Sequence, residues 1–323
     1  MKVGVIGAGA MGKNHVRVYS EIAELAGVSD LFEEAGKKVA AQYGTEFYGD
    51  YRELLRNVEA VSIATPTVTH YEIAKAAIEA GVHVLVEKPV TDSVEKGGEL
   101  VKLAEKNGIT MAVGQIERHN PVVDFAKKAM DEGRFGELIT LSARRVSSFP
   151  IRISDVGVIL DLGIHDIDAI RYLAGREIES IYATAGSVDE KTHEDHASIT
   201  LNFRGGITGY VETSWLTPMK VRKLAMTTKN EFVTLDYMNQ SAEISTTQFG
   251  EVDDRNLFNI PLEYRTEKIN MKREEPLKRE LVDFLNAAKT GKDPLVTGKD
   301  GLETLKVTVA ALRSSLEKRV ITL

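Results

Sequence analysis

Residues 2–22, KVGVIGAGAMGKNHVRVYSEI, decide the fold. The apolar run at 2–6 predicts a strand and residues 12–22 predict a helix, with the glycine-rich GAGAMG at 7–12 joining them. Such a turn lets the backbone approach a pyrophosphate, whose charge is met by the N–H groups and dipole of the helix start. The pattern GxGxxG is weak alone. Placed straight after an opening strand and straight before a helix, it points to a dinucleotide, with Gly7, Gly9, Ala10, Met11 and Gly12 lining the phosphates. The competing reading is a tight glycine turn with no ligand. Lys2, the apolar residues and Ala8-Gly9-Ala10 also mimic a secretory signal, but the run Val3 to Ile6 is too short for its apolar core. A cytoplasmic protein is expected.

Working outward, strands are predicted at 2–6, 25–30, 46–48, 60–64, 83–87 and 110–114, and helices at 12–22, 33–43, 51–57, 70–80 and 93–107. Apolar strands alternating with helices predict a doubly wound parallel sheet, a Rossmann domain at 1–119. Near Asn120-Pro121 the pattern changes. A helix at 122–132, a strand at 138–148 and a long apolar helix at 157–173 are followed by strands at 178–187, 197–203, 207–215, 222–228, 231–236 and 242–245. Successive strands without helices predict an α+β domain at 120–323 with a large, mostly antiparallel sheet. Helices at 277–290 and 301–318 close the chain, and loops are expected around 188–196 and 248–275. An antiparallel sheet with one face uncovered predicts self-association, as a homodimer or homotetramer.

Composition narrows the chemistry. The 323 residues are 43% hydrophobic and 28% charged, enough for two ordinary globular cores. Absence of cysteine excludes disulfides, thiolate nucleophiles and thiolate metal sites. A formal net charge of −7 argues against nucleic acid or an anionic membrane as partner, and no segment approaches the ~20 apolar residues of a membrane helix. A small-molecule substrate is the expectation. His119, His193 and His196 have no metal-ligand spacing, so no metal is expected.

Further residues bear on the cofactor and on catalysis. Asp30 ends the second strand 18 residues after Gly12, where a carboxylate accepts from the adenosine ribose and repels a 2′-phosphate. NAD is therefore expected over NADP; the alternative is that Asp30 caps the next helix. In ATPTVTH, Thr65 and Pro66 are candidates for the cofactor wall, Thr67 or Thr69 for a helix cap, and His70 for a cofactor contact or a plain capping histidine. Gln115 after the last Rossmann strand is a candidate at the nicotinamide end, or merely satisfies a loop. GVHVLVEKPVTD, at 81–92, is an apolar strand that stops on Glu87, Lys88 and Pro89. Proline ends the ladder, and a lysine is costly to bury there unless it is paired or used. In LDLGIHDID, Asp161, His165 and Asp168 fall at i, i+4 and i+7, a polar stripe on an otherwise apolar helix. An imidazole between carboxylates exchanges a proton near neutral pH; a satisfied core histidine is the other reading.

GAGAMG, ATPTVTH, GVHVLVEKP and DLGIHDID, in this order and spacing, resemble the glucose-fructose oxidoreductase, inositol dehydrogenase and rhizopine catabolism family of NAD(P)-dependent dehydrogenases. GQIERHNPVV and FPIRISDVGVILDLGIHDID look most like its nucleotide-sugar members. The resemblance implies NAD chemistry in which Lys88 reaches the hydroxyl being oxidised, and Asp161 and His165 bind substrate hydroxyls, His165 as proton acceptor. Glu87 and Lys88 would flank the nicotinamide. Two assignments of the base stay open, His165 or a Lys88 depressed by burial. For a diphosphate-linked sugar, Arg118, Asn120 and Arg152 are the candidate phosphate contacts. Some relatives sharing the fold are sensors, so a noncatalytic NAD- or sugar-binding module is the competing class, with a polyol such as inositol as the competing substrate.

Overall fold

The computed structural model describes residues 1–149, 156–188, 193–249 and 262–323. The chain forms two compact units. Met1–His119 and Glu275–Lys306 make up the first, and Asn120–Glu274 and Val307–Leu323 the second. The single cut expected after residue 119 is thereby corrected: residues 275–306 return to the first unit.

In the first unit, strands β1 (Lys2–Ile6), β2 (Glu24–Ser29), β3 (Glu46–Tyr48), β4 (Ala60–Ile63), β5 (His83–Glu87) and β6 (Met111–Gly114) alternate with α1 (Ala10–Ile22), α2 (Glu33–Tyr43), α3 (Tyr51–Leu55), α4 (His70–Glu79) and α5 (Val94–Asn107). All strand pairs are parallel, in the order β3-β2-β1-β4-β5-β6. The order reverses between β1 and β4, and the carboxyl ends at such a switch point hold ligands in open parallel sheets. Val3, Val5, Val61, Ile63, Val84 and Val86 are all buried, because helices cover both faces. The returning segment explains its own placement. Leu277, Leu281, Phe284 and Leu285 of α8 (Pro276–Thr290) share a core with Val3, Val5 and Leu85, and Thr297 bridges to Ala112 of β6.

The second unit contains α6 (Pro121–Asp131), β7 (Leu138–Ser148), α7 (Ile164–Ala174) and strands β8 (Ile178–Gly186), β9 (His196–Phe203), β10 (Thr208–Ser214), β11 (Leu216–Thr228), β12 (Glu231–Asp236), β13 (Ser241–Phe249), β14 (Leu262–Asn270) and β15 (Ile321–Thr322). The last helix, α9 (Gly298–Glu317), contributes its residues from Val307 onward. The nine strands run β14-β13-β12-β11-β7-β10-β9-β8-β15, antiparallel except for the parallel pair β7 and β10. Alternation buries Leu141, Ala143, Ile181, Val211, Val233 and Leu235 in one core, while Ile139, Tyr182, Tyr210 and Phe232 stay exposed on strands of the same sheet.

Two expectations are corrected here. The stretch 248–275 is not all loop, since β14 pairs with β13 from Leu262 to Asn270. Its LEYRTEKIN carries charge and little apolar alternation, as suits the edge of a sheet. The helix expected at 157–173 starts as a wide π-type turn, Ile159–Gly163, before α7 takes over. The wide turn shifts Asp161 on the 3.6-residue wheel relative to His165, and Asp168, placed in one polar stripe with them by the sequence, is buried. Among the described residues, no helix is long and apolar enough to cross a membrane.

Candidate active site

Each glycine of the first turn meets a different requirement. Gly7 has φ +98°, and a Cβ there would lie 2.5 Å from the Ala64 carbonyl oxygen. A Cβ on Gly12 would sit 1.8 Å from the Gly7 carbonyl oxygen, so the turn closes against α1 only without a side chain. At Gly9 nothing of the protein lies within 4 Å of that position. Two glycines thus serve the turn, and the third leaves bare, open backbone at the start of α1. That helix has no side-chain cap and no acid in its first turn. Its positive end is left for an anion, and the turn fits a dinucleotide pyrophosphate.

Asp30 lies just past β2 and ties the turn to the sheet: Ala8 N donates to its Oδ2 at 2.6 Å and Phe32 N to its Oδ1 at 2.7 Å. Each oxygen keeps a second lone pair for a ribose hydroxyl. Beyond it, Leu31 and Phe32 are 90% and 78% exposed, apolar surface with no cation for a 2′-phosphate. Thr65 is partly exposed and Pro66 exposed at the end of β4. Thr69 does not cap α4 through its side chain; its hydroxyl bonds back to Thr65 Oγ1 and the Pro66 carbonyl.

His70, a candidate cofactor contact or capping histidine, is buried. Its Nδ1 lies 2.9 Å from the Pro89 carbonyl oxygen and its Nε2 2.9 Å from that of Thr65. Burial pulls its pKa below the ordinary histidine value, although both carbonyls and Glu87 oppose the shift. A neutral ring donates to one carbonyl at a time, so His70 links the end of β4 to the residue after Lys88.

At the end of β5, Lys88 is partly exposed and the Lys88-Pro89 peptide is cis. The Glu87 side chain turns inward. Its Oε1 lies 2.9 Å from Nε2 of His15 on α1, and its Oε2 accepts the Lys88 backbone N–H at 3.2 Å. Burial raises the Glu87 carboxyl, but His15, by hydrogen bond and charge, and Lys88 together hold it below the ordinary value. Gly114 makes room, since a Cβ there would come 2.9 Å from Glu87 Oε2. Gln115, which follows β6, is 1% exposed, and both ends of its amide are buried with no hydrogen-bond partner among the described residues. Such unmet capacity at a strand's carboxyl end also fits a ligand's polar group.

In the second unit, Asp161 lies in the wide turn and His165 in the first turn of α7, both partly exposed. Glu194 braces the start of this segment, its Oε1 accepting Ile159 N at 3.1 Å and its backbone oxygen accepting Val158 N at 3.0 Å. Asp166, beside His165, faces inward and takes a two-pronged bond from Arg145 of β7, Nε to Oδ2 at 2.8 Å and Nη2 to Oδ1 at 3.1 Å.

The phosphate candidates fare differently. Arg118 is buried and donates to Asp300 at 3.1 Å, and Asn120 is buried as the cap of α6, accepting Val122 N and donating to the Tyr237 carbonyl. Both side chains bond within their own units. Arg152 lies outside the described residues. His196 pairs with Asp195 at 2.8 Å, and among the described residues no three His, Asp or Glu gather as a metal site. His15 and Arg145 went unnoticed in the sequence. The available signals were a histidine on the buried side of α1 with Gly12, Val16 and Tyr19, and an arginine in step with Leu141 and Ala143 of β7.

A Rossmann unit with a bare glycine turn, an acid at the end of β2 and a lysine at the end of β5 defines an NAD-binding oxidoreductase. The chain belongs to the GFO/IDH/MocA oxidoreductase family. The model of its NAD-binding Rossmann fold matches residues 1–115, and that of its C-terminal domain residues 123–233. The chain is 32% identical to the UDP-N-acetylglucosamine 3-dehydrogenase of Acidithiobacillus ferrooxidans over 97% of this chain and 96% of that one. It is 28% identical to the inositol 2-dehydrogenase of Rhizobium meliloti over 100% and 99%. The solved structure of the Acidithiobacillus ferrooxidans enzyme superposes with a TM-score of 0.89 at 30% identity, covering 97% of each chain.

Proposed function

We propose that this protein oxidises a ring hydroxyl of a UDP-linked amino sugar with NAD, position 3 of UDP-N-acetylglucosamine being the first choice. The observation that carries the reading is Lys88, a partly exposed lysine mounted at the carboxyl end of β5 and anchored through its own N–H by Glu87. The near full-length likeness to the UDP-N-acetylglucosamine enzyme supports the substrate class. Bound NAD supplies the hydride acceptor. As the carbon–hydrogen bond breaks with its electron pair, the hydroxyl proton must also leave, so a base is needed at that oxygen. His165 is the base in this reading, Asp161 orients the sugar, and the Lys88 ammonium stabilises the developing alkoxide. His165→Ala should abolish the rise in turnover as pH increases through the histidine range; a retained rise moves the base to Lys88.

The test of the function is NADH formation by the purified protein with UDP-N-acetylglucosamine, UDP-N-acetylgalactosamine and myo-inositol in parallel. Turnover of a UDP-sugar supports the proposal. Turnover of inositol alone transfers the substrate to the polyol class, which the 28%-identical inositol 2-dehydrogenase keeps as the second reading. Sugar binding without turnover makes the protein a sensor, although a sensor has no chemical need of Lys88, Asp161 and His165.

The cofactor turn supplies a paired prediction. Gly9→Ala adds a methyl where no protein atom lies within 4 Å, so it should fold normally and weaken NAD binding by roughly tenfold, about 1.4 kcal/mol. Gly12→Ala drives a Cβ into backbone and should lower the melting temperature as well. Calorimetric titration and thermal unfolding separate the two. Ile139, Tyr182, Tyr210 and Phe232, exposed on the sheet of the second unit, are the surface we assign to self-association. Tyr210→Asp should shift the mass measured by light scattering towards the monomer.

A further inference from the structure

We propose that Glu194 is a positioning residue for the sugar: from its place just before β9 it caps the wide turn Ile159–Gly163 and thereby fixes Asp161. The inference rests on the reading of Asp161 as a residue that orients the sugar. The first N–H groups of a helix have no partner inside it, and a side chain at the cap position ordinarily meets one of them. Here the cap positions of the wide turn and of α7 are Val158 and Gly163, whose side chains accept no hydrogen bond. The acceptors come from 35 positions away along the chain. Glu194 takes the Val158 N–H on its backbone oxygen at 3.0 Å and the Ile159 N–H on Oε1 at 3.1 Å. Two bonds to one residue set both the place and the direction of the chain just ahead of Asp161.

Gly157 shows how closely the two parts fit. A Cβ on it would lie 2.1 Å from the carboxyl carbon and from both oxygens of Glu194, so the cap fills the space a side chain would need. The Gly157 oxygen accepts the Asp161 N–H at 3.0 Å, so the same glycine touches both ends of the argument. Glu194 is delivered by a fixed neighbour. Asp195, 1% exposed, donates its N–H to the Gly186 oxygen, receives the Trp215 N–H on its own backbone oxygen and takes the Val188 N–H on Oδ2, each at 2.9 Å. At the far end of the turn, the Cβ position of Gly163 lies 3.6 Å from Thr213 Cγ2 of β10 and 3.8 Å from Ile199 Cδ1 of β9. Asp161 is held between these two supports. The body of α7 has a separate anchor in the bond of Asp166 to Arg145. Loss of the Glu194 cap should therefore release Asp161 and leave His165, next to Asp166, in place.

Glu194→Ala keeps the backbone bond to Val158 and removes only the side-chain acceptor, so it should fold. It should raise KM for UDP-N-acetylglucosamine about tenfold and change kcat by less than about threefold, the pattern of lost binding shared by ground and transition states. Affinity for NAD, measured by calorimetry, should not move. Glu194→Gln keeps an oxygen at the same reach and should hold KM to within about threefold of wild type. Gly157→Ala drives the carboxyl group out of its place and should reproduce the Glu194→Ala effect. Adding Gly157→Ala to Glu194→Ala should then cost nothing more, because the group it displaces is gone. Amide hydrogen exchange of the peptide spanning 157–165, followed by mass spectrometry, reads the cap without turnover, and both alanine variants should exchange there about tenfold faster. Unchanged sugar KM in the alanine variants overturns the proposal, as does a Glu194→Gln protein no better than Glu194→Ala, or additive losses in the double variant. Unchanged exchange in both alanine variants overturns it whatever the sugar. If exchange rises but the wild-type protein oxidises none of the sugars, the cap stands and the assigned function fails.

Discussion

Lys88→Met is expected to lower kcat/KM for sugar oxidation by roughly a thousandfold, within the range measured when a single preorganised donor to a developing oxyanion is removed. Methionine keeps the length and apolar stem and removes only the ammonium. NAD affinity should hardly change, because the bare backbone at Gly9 and the carboxylate of Asp30 lie on other strand ends. The loss should fall mainly on kcat, since the interaction grows as the hydroxyl becomes an alkoxide. Lys88→Arg is a sharper control. It preserves the charge, but a planar fork cannot replace a compact ammonium at one oxygen, so it should recover little activity. Steady-state kinetics with calorimetry of NAD binding decide the matter, and a Lys88→Met protein with near wild-type kcat removes Lys88 from the chemistry.

What could be read in advance follows how local each signal is. The turn at 7–12 was legible because adjacent residues encode it, and Lys88 stood out because an apolar strand ended on a charge and a proline. The six parallel strands were legible for the same reason: burial on both faces makes short unbroken apolar runs such as Val84 to Val86. Pairings between distant segments were not. His15 and Glu87 lie 72 positions apart, and nothing beside either names the other. Arg118 is a phosphate candidate by residue type, and its bond to Asp300, 182 positions away, had no local signal. The amphipathic helix α8 displays an apolar face without revealing which sheet it covers, so its return to the first unit was hidden. Strand β14 was missed because an edge strand protected by charge lacks the alternation that marks a half-buried one.

Arg145→Met carries the largest expected effect on stability. Arg145 and Asp166 are 2% and 0% exposed, and their two hydrogen bonds tie β7 to α7, the helix that carries His165. The guanidinium also stacks 5.4 Å from the centre of the Tyr237 ring. Removing the arginine leaves a carboxylate in the core without that partner, a change that typically costs 3–5 kcal/mol, or about that here. Asp166→Asn should cost a similar amount by removing the charge that faces the guanidinium. The double variant Arg145→Met/Asp166→Leu removes both charges and both desolvation penalties, so it should recover most of the lost stability. Urea unfolding of the full chain followed by tryptophan fluorescence measures this, because Trp215 belongs to the same core as α7. Activity should part company with stability: the double variant regains its fold but loses the two-pronged bond between β7 and α7. Its kcat should therefore stay below wild type, since displacing a catalytic group by about 1 Å can cost about a hundredfold. A double variant with full kcat would show that packing alone orients His165. A double variant as unstable as the single ones would show that the ion pair, rather than relief of an unpaired charge, holds this part of the core.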